Sequence, residues 1–464
     1  MKTNTPYQAD IEETVKLFPP DAAEKEHFYE NTGGRYENAV RIGEKRYFFS
    51  DPEKPFSDNL ERKRYEKRNI KLAVYRALSD YYGRQMPWGA LTGIRPCKLA
   101  YQELERTGEF LTLFNEMRVS AQKRRLVEKI VETQRGVYEK DDDNADFFVF
   151  IPFCPSKCRY CSFITADIAR SGRYISAYTD ALIREIEAAK PLVKKLRSVY
   201  IGGGTPAALP TAELERVLAA VDAPRGTEYT FEAGRPDCIT RENVALLKKY
   251  GVTRVCVNPQ TFNDETLARI GRRHTAADIC EKYAMVKDDF SVNMDLIAGL
   301  EGETEADFAR SVDAAIALKP DNITVHTLCL KSGAALKEET AYLDGAGVAA
   351  MVEYAHAALA AAGYAPYYLY RQKYMAGNLE NTGYTLPGKA CVYNVDTMEE
   401  IAATVACGAN AVSKAVFGGC ARIERYKNPK DIPSYLAKTE EIVARKALLF
   451  AGEGGKTEKN GGKR

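Results

Sequence analysis

The chain lacks an excess of charge of either sign. Over 464 residues, 66 Lys and Arg stand against 64 Asp and Glu, a net charge of +2. That balance gives no general pull toward nucleic acid or a membrane surface. There is no apolar run near the ~20 residues that a bilayer span needs. The opening Met-Lys-Thr-Asn-Thr-Pro lacks the apolar core of a secretory leader. A cytoplasmic protein with no membrane span and no nucleic-acid partner is expected, with a monomer as the default. Tryptophan occurs once, at Trp88. The 11 cysteines are odd in number and thinly spread apart from one cluster. Cys238, Cys256, Cys280, Cys329 and Cys407 read as small core residues. Cys97, Cys391 and Cys420 flank Gly/Pro-rich segments and read less simply.

What is present is a long chain with 45% hydrophobic residues, enough for two or three domains and a large core. Residues 1–140 form a first unit. It contains an alternating stretch from Arg35 to Ser50 that predicts a hairpin. A basic run, Glu61 to Arg68, leads into a helical pattern through Leu72, Val74, Leu78 and Tyr82 and reads as a solvated helix face. Asp141-Asp142-Asp143-Asn144 reads as a polar linker. Strand patterns then follow at Phe147–Phe153, Ser198–Gly202, Tyr229–Ala233, Arg254–Asn258, Val292–Ala298 and Ile323–Leu328. Helical patterns separate them at Tyr174–Leu196, Ala212–Val221, Arg241–Tyr250, Ala277–Lys287 and Glu305–Leu318. This alternation predicts an α/β fold with a curved parallel sheet over 146–345, whose ligands meet the C-terminal strand ends. Beyond it come an alanine-rich helix at Val348–Ala362, a tyrosine-rich segment at Tyr364–Tyr370 and a Gly/Ala-rich stretch from Val405 to Gly419. The Gly/Lys-rich tail 452–464 is expected to be disordered.

Chemistry concentrates at three places. Cys154, Cys158 and Cys161 put three thiols on one short loop directly after the first strand. Three is one fewer than a closed zinc site or a fully protein-ligated iron–sulfur cluster uses. A cubane cluster held by three cysteines leaves one iron open to a substrate or cosubstrate; a zinc site completed by a distant ligand is the alternative. Gly202-Gly203-Gly204-Thr205-Pro206 ends the second strand, where glycines let backbone approach a ligand and leave N–H and C=O groups for it. Glu232 ends the third strand, and Asn293 and Asp295 alternate with Val292, Met294 and Leu296. A carboxylate inside a barrel needs a donor, a ligand or an internal ion pair. Gln260 follows the fourth strand, and Gly271-Arg272-Arg273-His274 follows a short helix.

Together these residues resemble the radical S-adenosylmethionine (SAM) superfamily, with Tyr160 in the aromatic position of its cysteine signature. Ile151-Pro152-Phe153-Cys154, the glycine run, and Asn293-Met294-Asp295-Leu296-Ile297-Ala298-Gly299-Leu300 are similar to the oxygen-independent coproporphyrinogen III oxidase group. Leu91-Thr92-Gly93-Ile94-Arg95-Pro96, Asn378-Leu379-Glu380-Asn381-Thr382-Gly383-Tyr384, and Tyr393-Asn394 ahead of Met398-Glu399-Glu400 look like its HemZ branch. The resemblance implies a partial (β/α)6 TIM-like barrel at 146–345. It adds an α+β accessory domain at 1–140 and a mainly helical family domain at 346–451. It implies a [4Fe-4S] cluster on Cys154, Cys158 and Cys161, and SAM bound by Tyr160, Gly203, Gly204, Thr205 and Glu232. Gln260, Arg272 and Asp295 match positions that contact a second SAM. The implied reaction is oxidative decarboxylation of two propionates of coproporphyrinogen III to give protoporphyrinogen IX. A tetrapyrrole substrate and a flavodoxin-type electron donor are the implied partners.

The chain departs from that pattern in places. The best-understood oxidases carry tyrosine and histidine where Phe148 and Phe150 stand, and a further cysteine where Phe163 stands. No catalytic residue is assigned. Propionates call for cations, and Arg95, Arg371, Lys373, Lys414 and Arg422 are the candidates. The alternatives are a heme-binding chaperone of the HemW-like side, whose terminal H-N-x-x-Y-W motif is missing here, and a radical SAM enzyme acting on another tetrapyrrole.

Overall fold

A computed structural model describes residues 1–56, 58–93, 95–163, 166–329, 345–372 and 375–452, the side chain of residue 376 excepted. Lys373, Ile94 and most of the tail expected to be disordered lie outside the described residues. The chain divides into two compact units. The first comprises 1–128 with 371–373 and 377–379, and the second comprises the rest.

In the first unit, β1 (Lys2–Thr3), β2 (Lys25–Asn31), β3 (Arg35–Ile42) and β4 (Lys45–Pro52) form one sheet in that order. The hairpin expected from Arg35 to Ser50 is the β3–β4 pair, with Val40 opposite Tyr47. A helix at Asn59–Tyr82 packs on β3. It starts where Asp58 accepts hydrogen bonds from the Leu60 and Glu61 amides, and it ends at left-handed Gly83, φ +62°. Its basic run is a solvated and paired face: Lys67 lies 3.4 Å from Asp10 and Arg68 3.2 Å from Glu103, while Tyr65 turns inward.

The second unit is built on parallel strands alternating with helices. β5 (Asn144–Ile151) leads to the short pair β6 (Phe153–Cys154) and β7 (Ala166–Asp167). Then come β8 (Lys195–Gly203), β9 (Glu228–Gly234), β10 (Arg254–Val257), β11 (Ser291–Ala298) and β12 (Asn322–Thr327). The six long strands pair in parallel in the order β5-β8-β9-β10-β11-β12, with helices at Ile175–Ala189, Thr211–Val221, Arg241–Lys249, Ala276–Val286 and Glu305–Leu318 between them. The expected helix from Tyr174 to Leu196 is shorter than its periodicity suggested. It stops at Ala189, Pro191 sits in a 3-10 turn, and β8 has begun by Lys195.

After the helix at Gly345–Ala361, the chain adds strands at both edges of this sheet. β13 (Ala365–Tyr370) and β14 (Asn381–Thr385) extend it beyond β12. β15 (Ala403–Cys407) joins β5 in parallel, and β16 (Val412–Phe417) and β17 (Arg422–Lys427) follow as an antiparallel meander. The helices at Val392–Glu399, Ile432–Ala437 and Thr439–Phe450 complete the region. Asp141 to Asn144 does more than link. Asp142 accepts from the Gly419 and Cys420 amides at 2.9 and 2.7 Å, and buried Asn144 opens β5. Of the cysteines expected in the core, Cys256 and Cys407 are buried, Cys238 and Cys329 half-buried, and Cys280 exposed. The correction at Cys280 follows from its place on the solvent side of an amphipathic helix, where Ile279 and Tyr283 take the inner face.

The period-2 alternation of the strands sorts their side chains into two populations. Phe147, Val149, Ile151, Val199, Ile201, Tyr229, Phe231, Val255, Val257, Val292 and Met294 belong to the main apolar core with the helices. The intervening residues face the other way and are polar or aromatic. They include Phe148, Phe150, Tyr200, Thr230, Glu232, Arg254, Asn293, Asp295, Thr324 and His326. A sheet with apolar helices on one face and polar groups on the other holds its chemistry on the concave side.

Candidate active site

The cysteine loop begins at the end of β6, and it is pinned by the segment that follows the helix Asp264–Arg269. The Arg159 amide donates to Ile270 O at 3.1 Å, and Ser156 Oγ donates to Gly271 O at 3.5 Å. A tight turn joins the second and third thiols, with Cys161 N donating to Cys158 O at 3.1 Å. Burial, together with the neighbouring Cys158 and Cys154, pushes the Cys161 thiol up to about 11. Tyr160 points inward, where its hydroxyl accepts from Arg272 Nη2 at 2.9 Å. Arg272 also donates to Asn258 O at 2.8 Å.

The glycine run lies against this loop. Thr205 Oγ1 donates to Cys154 Sγ at 3.5 Å. The Gly204 amide donates to Ile151 O at 2.7 Å and the Thr205 amide to Phe153 O at 2.8 Å, so the run is stitched to β5 and β6. The Gly203 amide donates to Glu232 Oε2 at 3.2 Å. The expectation that these N–H groups are left for a ligand is corrected: all three are spent within the protein, because the end of β8 lies between the ends of β5 and β6 on one side and β9 on the other. The run leaves little room for side chains, least of all at Gly204, which faces backbone. A Cβ at Gly202 would lie 2.5 Å from Glu232 Oε2, one at Gly203 2.7 Å from the Phe150 ring, and one at Gly204 2.6 Å from Phe153 O.

Deeper in, Glu232 and Asp295 sit on the concave face. Burial, with the Asp295 charge, raises the Glu232 carboxyl to about 7 against the partial opposition of the Gly203 amide. Burial also pushes Asp295 upward. His326 at 3.6 Å, Asn293 Nδ2 at 2.8 Å and Thr324 outweigh it, and Asp295 ends below the ordinary aspartate range. Gln260 takes a left-handed backbone, φ +71°, uncommon for a side-chain-bearing residue. Its amide donates to Asp295 O at 2.8 Å and its carbonyl accepts from Ile297 N at 2.9 Å, extending the pairing of β11 past the end of β10. All the expected cluster and SAM residues thus fall in one unit, on the loop, at strand ends or on the concave face.

Of the expected propionate cations among the described residues, two lie in the first unit and two on the outer strands β16 and β17 of the second. Arg371 belongs to the first unit, where it donates to Leu91 O and to Asn378 Oδ1 at 2.6 Å and stacks on Trp88 at 5.1 Å. Arg95, half-buried, opens the helix Pro96–Thr107 in the same unit. Lys414 is buried on β16 within reach of Asp146 and Asp396, and Arg422 pairs with Glu424 at 3.0 Å on the edge strand β17. Charge alone gave no register, and register decides which side of a strand a cation occupies. Residues to which the sequence reading gave no role at the site stand there: Arg235, Asp237 and Asn258 around the loop, and His326, Tyr370 and Tyr393 on the concave side. Arg235 had a readable signal, since it is charged and immediately follows a strand end beside Glu232.

Tyr393 packs against the concave face. Its ring stacks on Tyr200 at 4.4 Å and on Phe148 at 6.0 Å. The amides of Val392 and Tyr393 donate to Glu228, the first residue of β9, at 2.9 and 3.1 Å. Arg197 grips Asp396 of the same helix with bonds of 2.6 and 3.1 Å.

Residues 148–315 match the model of the Radical SAM superfamily. The oxygen-independent coproporphyrinogen-III oxidase-like protein HemZ of Bacillus subtilis is 35% identical over 401 residues, 82% of this chain and 80% of that protein. The chain belongs to the radical SAM superfamily. Within it, the chain is a member of the HemZ-like group of the oxygen-independent coproporphyrinogen III oxidase family. The heme chaperone HemW of Lactococcus lactis is 34% identical over 194 residues, but these are 40% of this chain and 50% of that protein. The solved structure of coproporphyrinogen III oxidase (HemN) from Escherichia coli, described as a radical SAM enzyme, superposes with a TM-score of 0.53 at 21% identity. It covers 66% of this chain and 72% of that one, a likeness of fold. The family's cofactors are a [4Fe-4S] cluster and SAM.

The residues present fit those groups. Among the described residues, no three His, Cys, Asp or Glu side chains converge on a single ion. A cubane places each cysteine on a different iron, so three adjacent thiols on one loop suit it without such convergence. Beside the loop, the buried Arg272 Nε and Asn258 Oδ1 have no hydrogen-bond partner among the described residues, as suits a polar ligand carrying a carboxylate and an ammonium. No described helix is long and apolar enough to cross a membrane.

Proposed function

We propose that this chain is an oxidoreductase that removes two propionate carboxylates from coproporphyrinogen III as CO2, leaving two vinyl groups and yielding protoporphyrinogen IX. The likeness to HemZ carries the reading, because it runs through the barrel and well beyond it. Cys154, Cys158 and Cys161 hold the cluster. Gly203, Gly204, Thr205 and Glu232 receive the amino end of SAM, with Tyr160, Arg272, Gln260 and Asp295 completing its surroundings. Bound there, a reduced cluster and SAM would supply hydrogen-atom abstraction, with one SAM cleaved to methionine and one electron consumed for each propionate, while each CO2 lost would leave one electron for an acceptor.

The chain's own residues contribute position and seclusion. Phe150 lies against Gly203, and Phe148 stacks in the floor with Tyr393, so the two phenylalanines make a dry wall where relatives carry polar groups. Glu232, poised near neutrality, can accept or release a proton beside the glycine run. Phe163 is exposed and takes no part in this wall. We assign 1–140 as an accessory domain, 146–345 as the radical SAM core and 346–451 as a family domain, with a flavodoxin-type protein as electron donor to a monomer.

Anaerobic turnover with coproporphyrinogen III, SAM and a reductant tests the reading: vinyl products support it, and deoxyadenosine without vinyl products refutes the substrate. The HemW-like matches favour a second reading, heme binding without turnover. Its terminal motif is missing, and the single tryptophan is buried in the first unit. A stable complex with hemin and no SAM cleavage on coproporphyrinogen III would favour that reading.

A further inference from the structure

The cysteine loop is held by a buried arginine that neither the mechanism above nor the resemblance uses. Arg235 follows β9 and is 3% exposed. Its Nη1 donates to Ser156 Oγ at 2.8 Å and to Ser156 O at 3.4 Å, inside the segment between Cys154 and Cys158. Its Nε and Nη2 grip Asp237 Oδ1 and Oδ2 at 3.0 and 2.8 Å, a two-pronged pairing that fixes the plane of the guanidinium. Behind Asp237 stands His274, with Nδ1 at 3.6 Å, buried and on the same segment as Arg272. The ion pair is oriented: its cationic end meets the loop through Ser156, and its anionic end meets His274. Burial opposes the charge on Arg235, yet Asp237 keeps it firmly protonated.

We propose that Arg235 is a positioning residue for the iron–sulfur cluster, clamping the cysteine loop through Ser156 and presenting the positive end of the Arg235–Asp237 pair to the cluster. Fixed charge and hydrogen bonds around a cluster set its reduction potential, and outer contacts of the ligands set how firmly it is held. The proposal rests on the assignment of Cys154, Cys158 and Cys161 as cluster ligands, and not on the identity of the substrate.

The test uses the full chain, reconstituted anaerobically with iron and sulfide and titrated with reductant while the reduced cluster is followed by electron paramagnetic resonance. Arg235→Gln removes the cation and leaves Asp237 uncompensated, so the midpoint potential moves to more negative values. Asp237→Asn removes the anion and moves it to more positive values. Arg235→Lys keeps the charge but not the fork, so the potential stays near wild type while iron is lost to a chelator severalfold faster. Ser156→Ala, a mild change that keeps the ion pair, also releases iron severalfold faster with an unaltered circular dichroism spectrum. A purely structural role gives no reason for opposite shifts from Arg235→Gln and Asp237→Asn. Shifts of the same sign, no shifts, or wild-type iron retention in Ser156→Ala overturns the proposal. A wild-type chain that takes up no iron overturns the cysteine assignment as well, whereas a loaded wild type with unshifted variants overturns this proposal alone.

Discussion

Lys446 and Glu185 form an ion pair at 1% and 0% side-chain exposure, between the helices Thr439–Phe450 and Ile175–Ala189. Breaking a buried pair by removing one partner costs about 3–5 kcal/mol, because the other charge is stranded. The structure predicts that the two truncations differ. Without Lys446, the Glu185 carboxylate still accepts from Gly408 N at 2.7 Å, Asn428 Nδ2 at 2.7 Å and Tyr435 Oη at 2.5 Å. Without the Glu185 charge, the ammonium keeps the Ala406 carbonyl and the Cys407 sulfur at 3.7 Å, and a glutamine amide would turn a donor toward other donors. Lys446→Met should therefore cost about 3 kcal/mol and Glu185→Gln about 5 kcal/mol. At about 2–4 °C per kcal/mol for a domain of moderate size, Lys446→Met lowers the melting temperature by roughly 6–12 °C, and Glu185→Gln lowers it further. The double variant should be less destabilised than the sum of the singles. Scanning calorimetry of the four proteins measures this. If Glu185→Gln is the milder change, or the two losses add, the reasoning fails. The network also bears on the site: Tyr178, which accepts from Ala409 N at 3.0 Å, donates to Phe150 O at 2.7 Å at the end of β5.

Replacement of Cys154, Cys158 or Cys161 by serine should abolish cluster uptake, read as loss of bound iron, acid-labile sulfide and visible absorbance after anaerobic reconstitution. Gly204→Ala drives a methyl into the Phe153 and Ile151 carbonyls at 2.6 and 2.9 Å, so a loss of about 1–3 kcal/mol is expected, together with weakened SAM binding measured by calorimetry. Glu232 carries a raised pKa of about 7, so its contribution to stability is present below its unfolded value near 4.5 and is lost as pH rises through 7. Melting temperatures of wild type and Glu232→Gln should therefore diverge between pH 5 and 8, with wild type falling relative to the variant, and parallel curves would show that Glu232 titrates normally.

The parallel core was legible because its strands are short, β-branched runs punctuated by amphipathic helices. Arg254 and Glu305 mark element starts in both the sequence reading and the structure. The edge strands were not. β15 is Ala-Thr-Val-Ala-Cys with every residue buried, so it lacks the alternation that reveals a strand with one wet face. The tyrosines of 364–370 read as a composition; only their pairing with β14 makes them a strand. In the candidate site, the cysteine spacing, the glycine run, Glu232 and Asp295 were visible as local patterns. His326 and Tyr393 were not, because their meaning comes from partners far along the chain, Asp295 for His326 and Phe148 and Tyr200 for Tyr393; Arg235 offered its charge at a strand end, but its partner Ser156 is revealed only by the fold. Arg371 likewise takes its meaning from the fold, through hydrogen bonds to Leu91 and Asn378.

Tyr393 stacks on Tyr200, and the helix that carries it is tied to the start of β9. A molecule resting on those rings would meet aromatic faces beneath it rather than bare backbone.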